Sequence, residues 1–167
     1  NTIEEQTVSR IKESAGVIFS EADAQSLNYS ISPYVMLKLE SLLENGYIDK
    51  TQMDISYMIK TFLDSNVNSK PFLHSIYIYL KNTNDYFFVS GVGLANKFNY
   101  SDIDWLSQIS VVDSDVGQWF EVRKISEYSK SAYSVDVITL YKRLYRSEYL
   151  KPVGTIVLNI RLEYFKD

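Results

Sequence analysis

The residues able to do chemistry in this chain are few. It has one histidine, His74, and no cysteine. Thiol nucleophiles, disulfides and Cys-ligated metals are therefore excluded together, and neither a Ser-His-Asp triad nor a two-histidine metal site finds its partners. Four carboxylates, Asp102, Asp104, Asp113 and Asp115, crowd one stretch. The spacing and terminal Glu of a calcium loop are missing, so their expected role is to cap and solvate that stretch. No catalytic residue, metal ligand or cofactor is assigned. What remains is binding chemistry, because both tryptophans, Trp105 and Trp119, bracket the same acidic, Gly-containing loop in "DIDWLSQISVVDSDVGQWF".

Strand alternation gives a second set of candidates. In "TIVLNIRLEYF", Ile156, Leu158, Ile160 and Leu162 share one face while Val157, Asn159 and Arg161 share the other. In "SVDVITLYKRLYR", Ile138, Leu140 and Leu144 oppose Val137, Thr139, Tyr141, Arg143 and Tyr145, and in "HSIYIYLK", Ile76, Ile78 and Leu80 oppose Tyr77 and Tyr79. One sheet face is thus aliphatic and the other mixed. Tyrosine beside Arg and Asn suits a polyol or a carboxylate. Equally, each Tyr suits a half-buried cross-strand pair and each Arg a solvated sheet edge.

The elements that must position these residues can be read from periodicity. Val8, Ile11, Ala15, Ile18, Ala22, Gln25 and Tyr29 recur at alternating steps of three and four, which predicts a long amphipathic helix. Its narrow stripe can lie on its own domain, form a dimer seam, or do both. Ser32 and Pro33 start a second helix that Asn45 and Gly46 end, and a third runs from about Thr51 to Leu63. After Pro71 the period becomes two. Five strands are expected, beginning near residues 74, 86, 118, 134 and 155, with a loop and short helix inserted between the second and third.

At 167 residues the chain is the size of one domain, with helices over about 2–66 and the sheet with its insertion over about 72–167. Its formal net charge of −4 comes without a basic stripe, which argues against nucleic acid as a partner. No apolar run is long enough to span a bilayer, and "NTIEEQTVSR" is not a signal peptide. A start without Met and a stop just after a strand-like run make an excised segment the expectation.

In order and combination these features resemble a Cache (PDC) domain, the PAS-like extracytoplasmic sensor of bacterial receptors. The resemblance rests on the long N-terminal helix, the hairpin "SIYIYLKNTNDYFFVSG", "DIDW" opening the insertion, "GQW" leading into the third strand, and the closing "VGTIVLNIRLEYF". It is nearest to the sensors of YesM-like histidine kinases, in which an Asp-Trp-Tyr element and a later Gly-x-x-Trp stretch frame the same loop. Amino-acid-sensing members carry Arg-x-Trp-Tyr, where this chain has Ile103 and Leu106, which puts amino-acid recognition through that motif in doubt.

The resemblance implies an α+β domain with long helices on a five-stranded antiparallel sheet. It also implies a transmembrane helix on each side of the segment, an extracellular position on a bacterial membrane, and a cytoplasmic output such as a histidine kinase. The segment itself would be non-catalytic. Its expected pocket lies between the mixed sheet face and the insertion, lined by Trp105, Tyr77, Tyr79, Tyr141, Arg143 and Asn159, with Trp119 as a further wall. The expected ligand is a sugar or other small metabolite, or else a ligand-loaded solute-binding protein. Val8, Ile11, Ala15 and Ile18 would form a homodimer seam in the full-length receptor. The alternative is a secreted or tethered protein-interaction module whose sheet face is filled and takes no ligand.

Overall fold

The computed structural model describes residues 53–81, 86–111, 118–126, 133–145 and 152–165, together with residues 6, 9, 10, 13, 41 and 42. Gln6, Ser9, Arg10 and Glu13 are helical and exposed. The seam positions Val8, Ile11, Ala15 and Ile18 lie outside the described residues.

Helix α1 (Met53–Ser69) leads into strand β1 (Leu73–Leu80), then β2 (Tyr86–Val89) and β3 (Gly93–Asn96). A short helix α2 (Trp105–Val111) follows. The chain then forms β4 (Gln118–Ser126), β5 (Ser134–Tyr145), β6 (Pro152–Arg161) and a terminal 3-10 turn, Leu162–Phe165. The six strands make one sheet in the order β3-β2-β1-β6-β5-β4. Every neighbouring pair is antiparallel.

The sheet has six strands where alternation predicts five. The added one is β3, whose "GLAN" has neither β-branched residues nor an alternating run. It exists because the glycine turn after Val89, with Gly91 and Gly93 at positive φ, reverses the chain onto β2 and sets Leu94 opposite Phe88. Those two glycines also seat the turn on α1. The Gly91 amide donates to the Asp64 carboxylate, which also pairs with Lys60 one helical turn away.

Two apolar clusters occupy the two sheet faces, as the alternation requires. On one, Ile76, Ile78 and Leu80 of β1, Phe88 of β2, Leu140 and Leu144 of β5, and Ile156, Leu158 and Ile160 of β6 pack with Ile59 and Leu63 of α1 and with Leu42. Ile59 and Leu63 are one turn apart, so a single helix stripe covers the aliphatic face. On the other face Tyr77, Phe87, Val89, Ala95, Tyr141 and Val157 pack with Trp105.

Candidate ligand-binding site

The mixed face is ordered by strand register. Ser75 pairs with Asn159, Asn159 with Thr139, and Thr139 with Glu121, so one polar row crosses four strands. Alongside it Tyr77 pairs with Val157 and Val157 with Tyr141. Each pairing puts these side chains on the same side of the sheet.

Arg123 of β4 joins this row to the insertion. Its Nε donates to Thr139 Oγ1 at 2.8 Å and one terminal nitrogen to Asn159 Oδ1 at 3.1 Å, which fixes the guanidinium on the sheet. The two terminal nitrogens also donate to the two carboxylate oxygens of Asp102 at 2.8 and 2.9 Å, a bidentate fork. The Tyr77 hydroxyl donates to Asp102 at 2.6 Å. The row is closed by Thr139, which donates to Asn159 Oδ1 at 2.7 Å, and by Asn159 Nδ2, which donates to Ser75 at 2.9 Å. Arg123 is 8% exposed and Asp102 6%, so the pair is buried.

Aromatic rings surround the pair. Trp105 lies 5.1 Å from Tyr77 between centroids, 4.9 Å from Phe87 in an edge contact, and 6.3 Å from Tyr79. Tyr100 meets Tyr77 edge-on at 5.7 Å. The indole N–H donates to the backbone carbonyl of Asp102 at 2.7 Å, so Trp105 and Asp102 are tied together within the insertion. Tyr141 donates to Glu121 at 2.6 Å.

These surroundings shift the ionisable groups. Burial raises the Tyr77 hydroxyl far above its ordinary value, and the neighbouring Asp102 charge adds to it. Burial and the bond to Glu121 do the same for Tyr141. Burial alone would lower Arg123, but the hydrogen bonds and charge of Asp102 outweigh it and raise its pKa.

Of the residues expected at the site, Trp105, Tyr77, Tyr79, Tyr141 and Asn159 share the mixed face. Trp105, Tyr77, Tyr141 and Asn159 are completely buried, and Tyr79 is half-buried. Arg143 is half-buried one step along β5, opposite Thr155. Trp119 is backbone-paired with Tyr141 in β4, and its side chain lies outside the described residues. A cleft of about 280 Å³ is lined by Ser134, Val135, Asp136, Arg161, Leu162 and Glu163, and by none of the expected aromatics.

Two residues at the centre differ from the sequence reading. Asp102 does not solvate the insertion; it is the buried counter-ion of Arg123. Arg123 was not among the candidates. The signal for it was present, since "EVRK" alternates and sets Arg123 two residues from Glu121 on the Tyr141 side, but its partner lies 21 residues away. Among the described residues, no group of three or more His, Asp or Glu could hold a metal, and no helix is long and apolar enough to cross a membrane.

No family model and no curated protein matches the chain. Solved structures do. The extracellular domain of vpHK1S-Z8, assigned as a histidine kinase, matches with a TM-score of 0.52 at 11% identity, over 98% of this chain and 62% of that one. A domain of a protein assigned to the sensory box/GGDEF family, from Vibrio parahaemolyticus, matches with a TM-score of 0.50 at 12% identity, over 98% and 63%. The ligand-binding domain of the Campylobacter jejuni chemoreceptor Tlp3 with 4-methylisoleucine gives 0.44 at 18% identity, over 99% and 62%. This chain therefore spans less than two thirds of the length of the structures it matches. At these identities the likeness is one of architecture. Helix α1 packed on an antiparallel sheet gives this chain an α+β fold shared with the extracellular domain of vpHK1S-Z8.

Proposed function

We propose that this chain is the extracellular sensor of a bacterial membrane receptor, of the Cache (PDC) type and nearest to YesM-like histidine kinases. It takes up a small molecule on the mixed sheet face. The shift is passed through the terminal elements to transmembrane helices outside this segment, with the receptor a homodimer along Val8, Ile11, Ala15 and Ile18.

One observation carries this reading: the insertion seats Trp105 and Asp102 onto a sheet face whose polar row runs in register across four strands. A face used only for packing has no need of a cross-strand row of Ser, Asn, Thr and Glu. The architecture shared with the extracellular domain of vpHK1S-Z8 supports the same assignment.

The second reading, a protein-interaction module, is favoured by the complete burial of Trp105, Tyr77 and Tyr141, which leaves these aromatics no exposed surface. Such a module, secreted or membrane-tethered, would meet a protein partner without taking a metabolite.

The test is a titration of the purified domain with sugars, amines and carboxylates, read by tryptophan fluorescence and melting temperature. A ligand is expected whose affinity falls in Trp105→Phe and Tyr141→Phe variants that remain folded. A panel with no hit would favour the protein partner, and a hit indifferent to both variants would move the site elsewhere.

A further inference from the structure

The two halves of the buried ion pair are held in unequal ways. Arg123 sits on the sheet and keeps two anchors that do not involve the insertion, Thr139 and Asn159. Asp102 sits on the insertion, and among the described residues its carboxylate is held by Arg123 and Tyr77. If the insertion withdraws, Arg123 stays in place. Its fork and the Tyr77 hydroxyl then face the vacated space as a three-donor cradle for a planar anion with two oxygens.

We infer that Asp102 is an internal stand-in for the carboxylate of a small-molecule ligand, and that Arg123 with Tyr77 is the anion-binding element this ligand takes over. The inference rests on the proposed sensor role and adds to it the ligand class and the closed state of the site.

Trp105 supplies the rest of the ligand's description. Its indole N–H holds the Asp102 carbonyl, so withdrawal of Asp102 carries the indole off Tyr77 and Phe87. The opened space then has an anion cradle at one end and aromatic walls at the other. That combination fits a small monocarboxylate with an apolar or aromatic body. Opening without a replacement anion gives up the Asp102 fork, the Tyr77 bond and the packing of Trp105 with nothing in exchange, which is unfavourable. The site therefore stays shut until a carboxylate arrives, and a neutral sugar or an amine lacks the group that would open it. Such a ligand shifts the domain to the open state by its differential affinity alone.

The probes are propionate and benzoate, with chloride at equal ionic strength and glucose and propylamine as controls. In the unmodified domain the carboxylates should change tryptophan emission and the controls should not. In Asp102→Asn, where the competitor is neutralised, both carboxylates should bind at least about tenfold more tightly and should restore the melting temperature lost to the unpaired arginine. In the double variant Asp102→Asn/Arg123→Gln, which leaves no unpaired charge buried, that gain should vanish.

Unchanged or weaker carboxylate affinity in Asp102→Asn overturns the inference. If that variant does not fold, the unmodified domain decides: an equal response to chloride and propionate overturns it as well. A sugar or amine that binds, depends on Trp105 and ignores the Asp102 and Arg123 substitutions would leave the sensor role standing and remove this one. Silence of both carboxylates in the unmodified domain and in a folded Asp102→Asn variant would remove this inference and leave the sensor role to the wider ligand panel.

Discussion

At the scale of single residues, Arg123 and Asp102 illustrate why a buried ion pair is judged by what its loss leaves behind. Separating two charges from water is costly, and their attraction largely offsets that cost, so the intact pair adds little net stability. Arg123→Gln alone, however, leaves the Asp102 carboxylate buried beside Tyr77 without its counter-ion. It should cost about 3–5 kcal/mol in urea unfolding, whereas Asp102→Asn/Arg123→Gln should cost distinctly less than the sum of the two single changes.

The phenols make a second, independent prediction. Tyr77, Tyr100 and Tyr141 are all raised, burial being the largest cause in each. Their native pKa values lie above the unfolded value near 10, so they stabilise the fold fully below that pH, and the contribution is lost as pH rises beyond it. Spectrophotometric titration of the folded protein should leave Tyr77 and Tyr141, two of the 14 tyrosines, silent until the alkaline unfolding transition releases them.

At the scale of elements, β6 is the strand on which the most depends, because it pairs with β1 on one side and β5 on the other. Leu158 is 1% exposed in the aliphatic cluster, and Leu158→Ala should destabilise by about 2–5 kcal/mol by chemical denaturation. Gly154 is constrained differently. A Cβ there would run into the Tyr79 carbonyl oxygen and come within 3.1 Å of Leu80 Cδ2, since Gly154 is paired with Leu80 of the adjacent strand β1. Gly154→Ala should cost at least about 1–3 kcal/mol, a loss that propensity alone would not suggest, because Ala suits a strand no worse than Gly.

The same strand shows how much was legible beforehand. Period-two alternation in β1, β5 and β6 is a local property, so the aliphatic face and the face carrying Tyr77, Tyr141 and Asn159 could both be assigned from sequence. Strand β3 could not, because "GLAN" becomes a strand only when β2 offers it a partner. The Asp102–Arg123 pair was hidden for a related reason. Which carboxylate of the insertion meets which cation of the sheet is fixed by three-dimensional register, and four aspartates in one stretch look alike until one of them is buried. The burial of Trp105 also changes what its replacement tests. Truncation to Ala would remove core as well as any binding wall, so Phe is the more discriminating variant.

At the scale of the whole molecule, the strand order β3-β2-β1-β6-β5-β4 divides the sheet into two meanders, each continuous in sequence, that meet only where β1 lies against β6. Each meander can form from neighbouring segments by short reversals. The seam cannot, since it brings Leu73 to Ile160 and requires closure of nearly all the intervening chain. During synthesis α1 and the first meander emerge with Ile76, Ile78 and Leu80 covered on one side and β1 left as an open edge. That edge is unpaired until β6 has left the ribosome, and an open edge of this kind invites pairing with another chain. Assembly is thus gated by its latest strand. The step that completes the core is the most non-local one, which makes this a slowly folding domain for its size, with its greatest hazard of misassociation just before the last pairing closes.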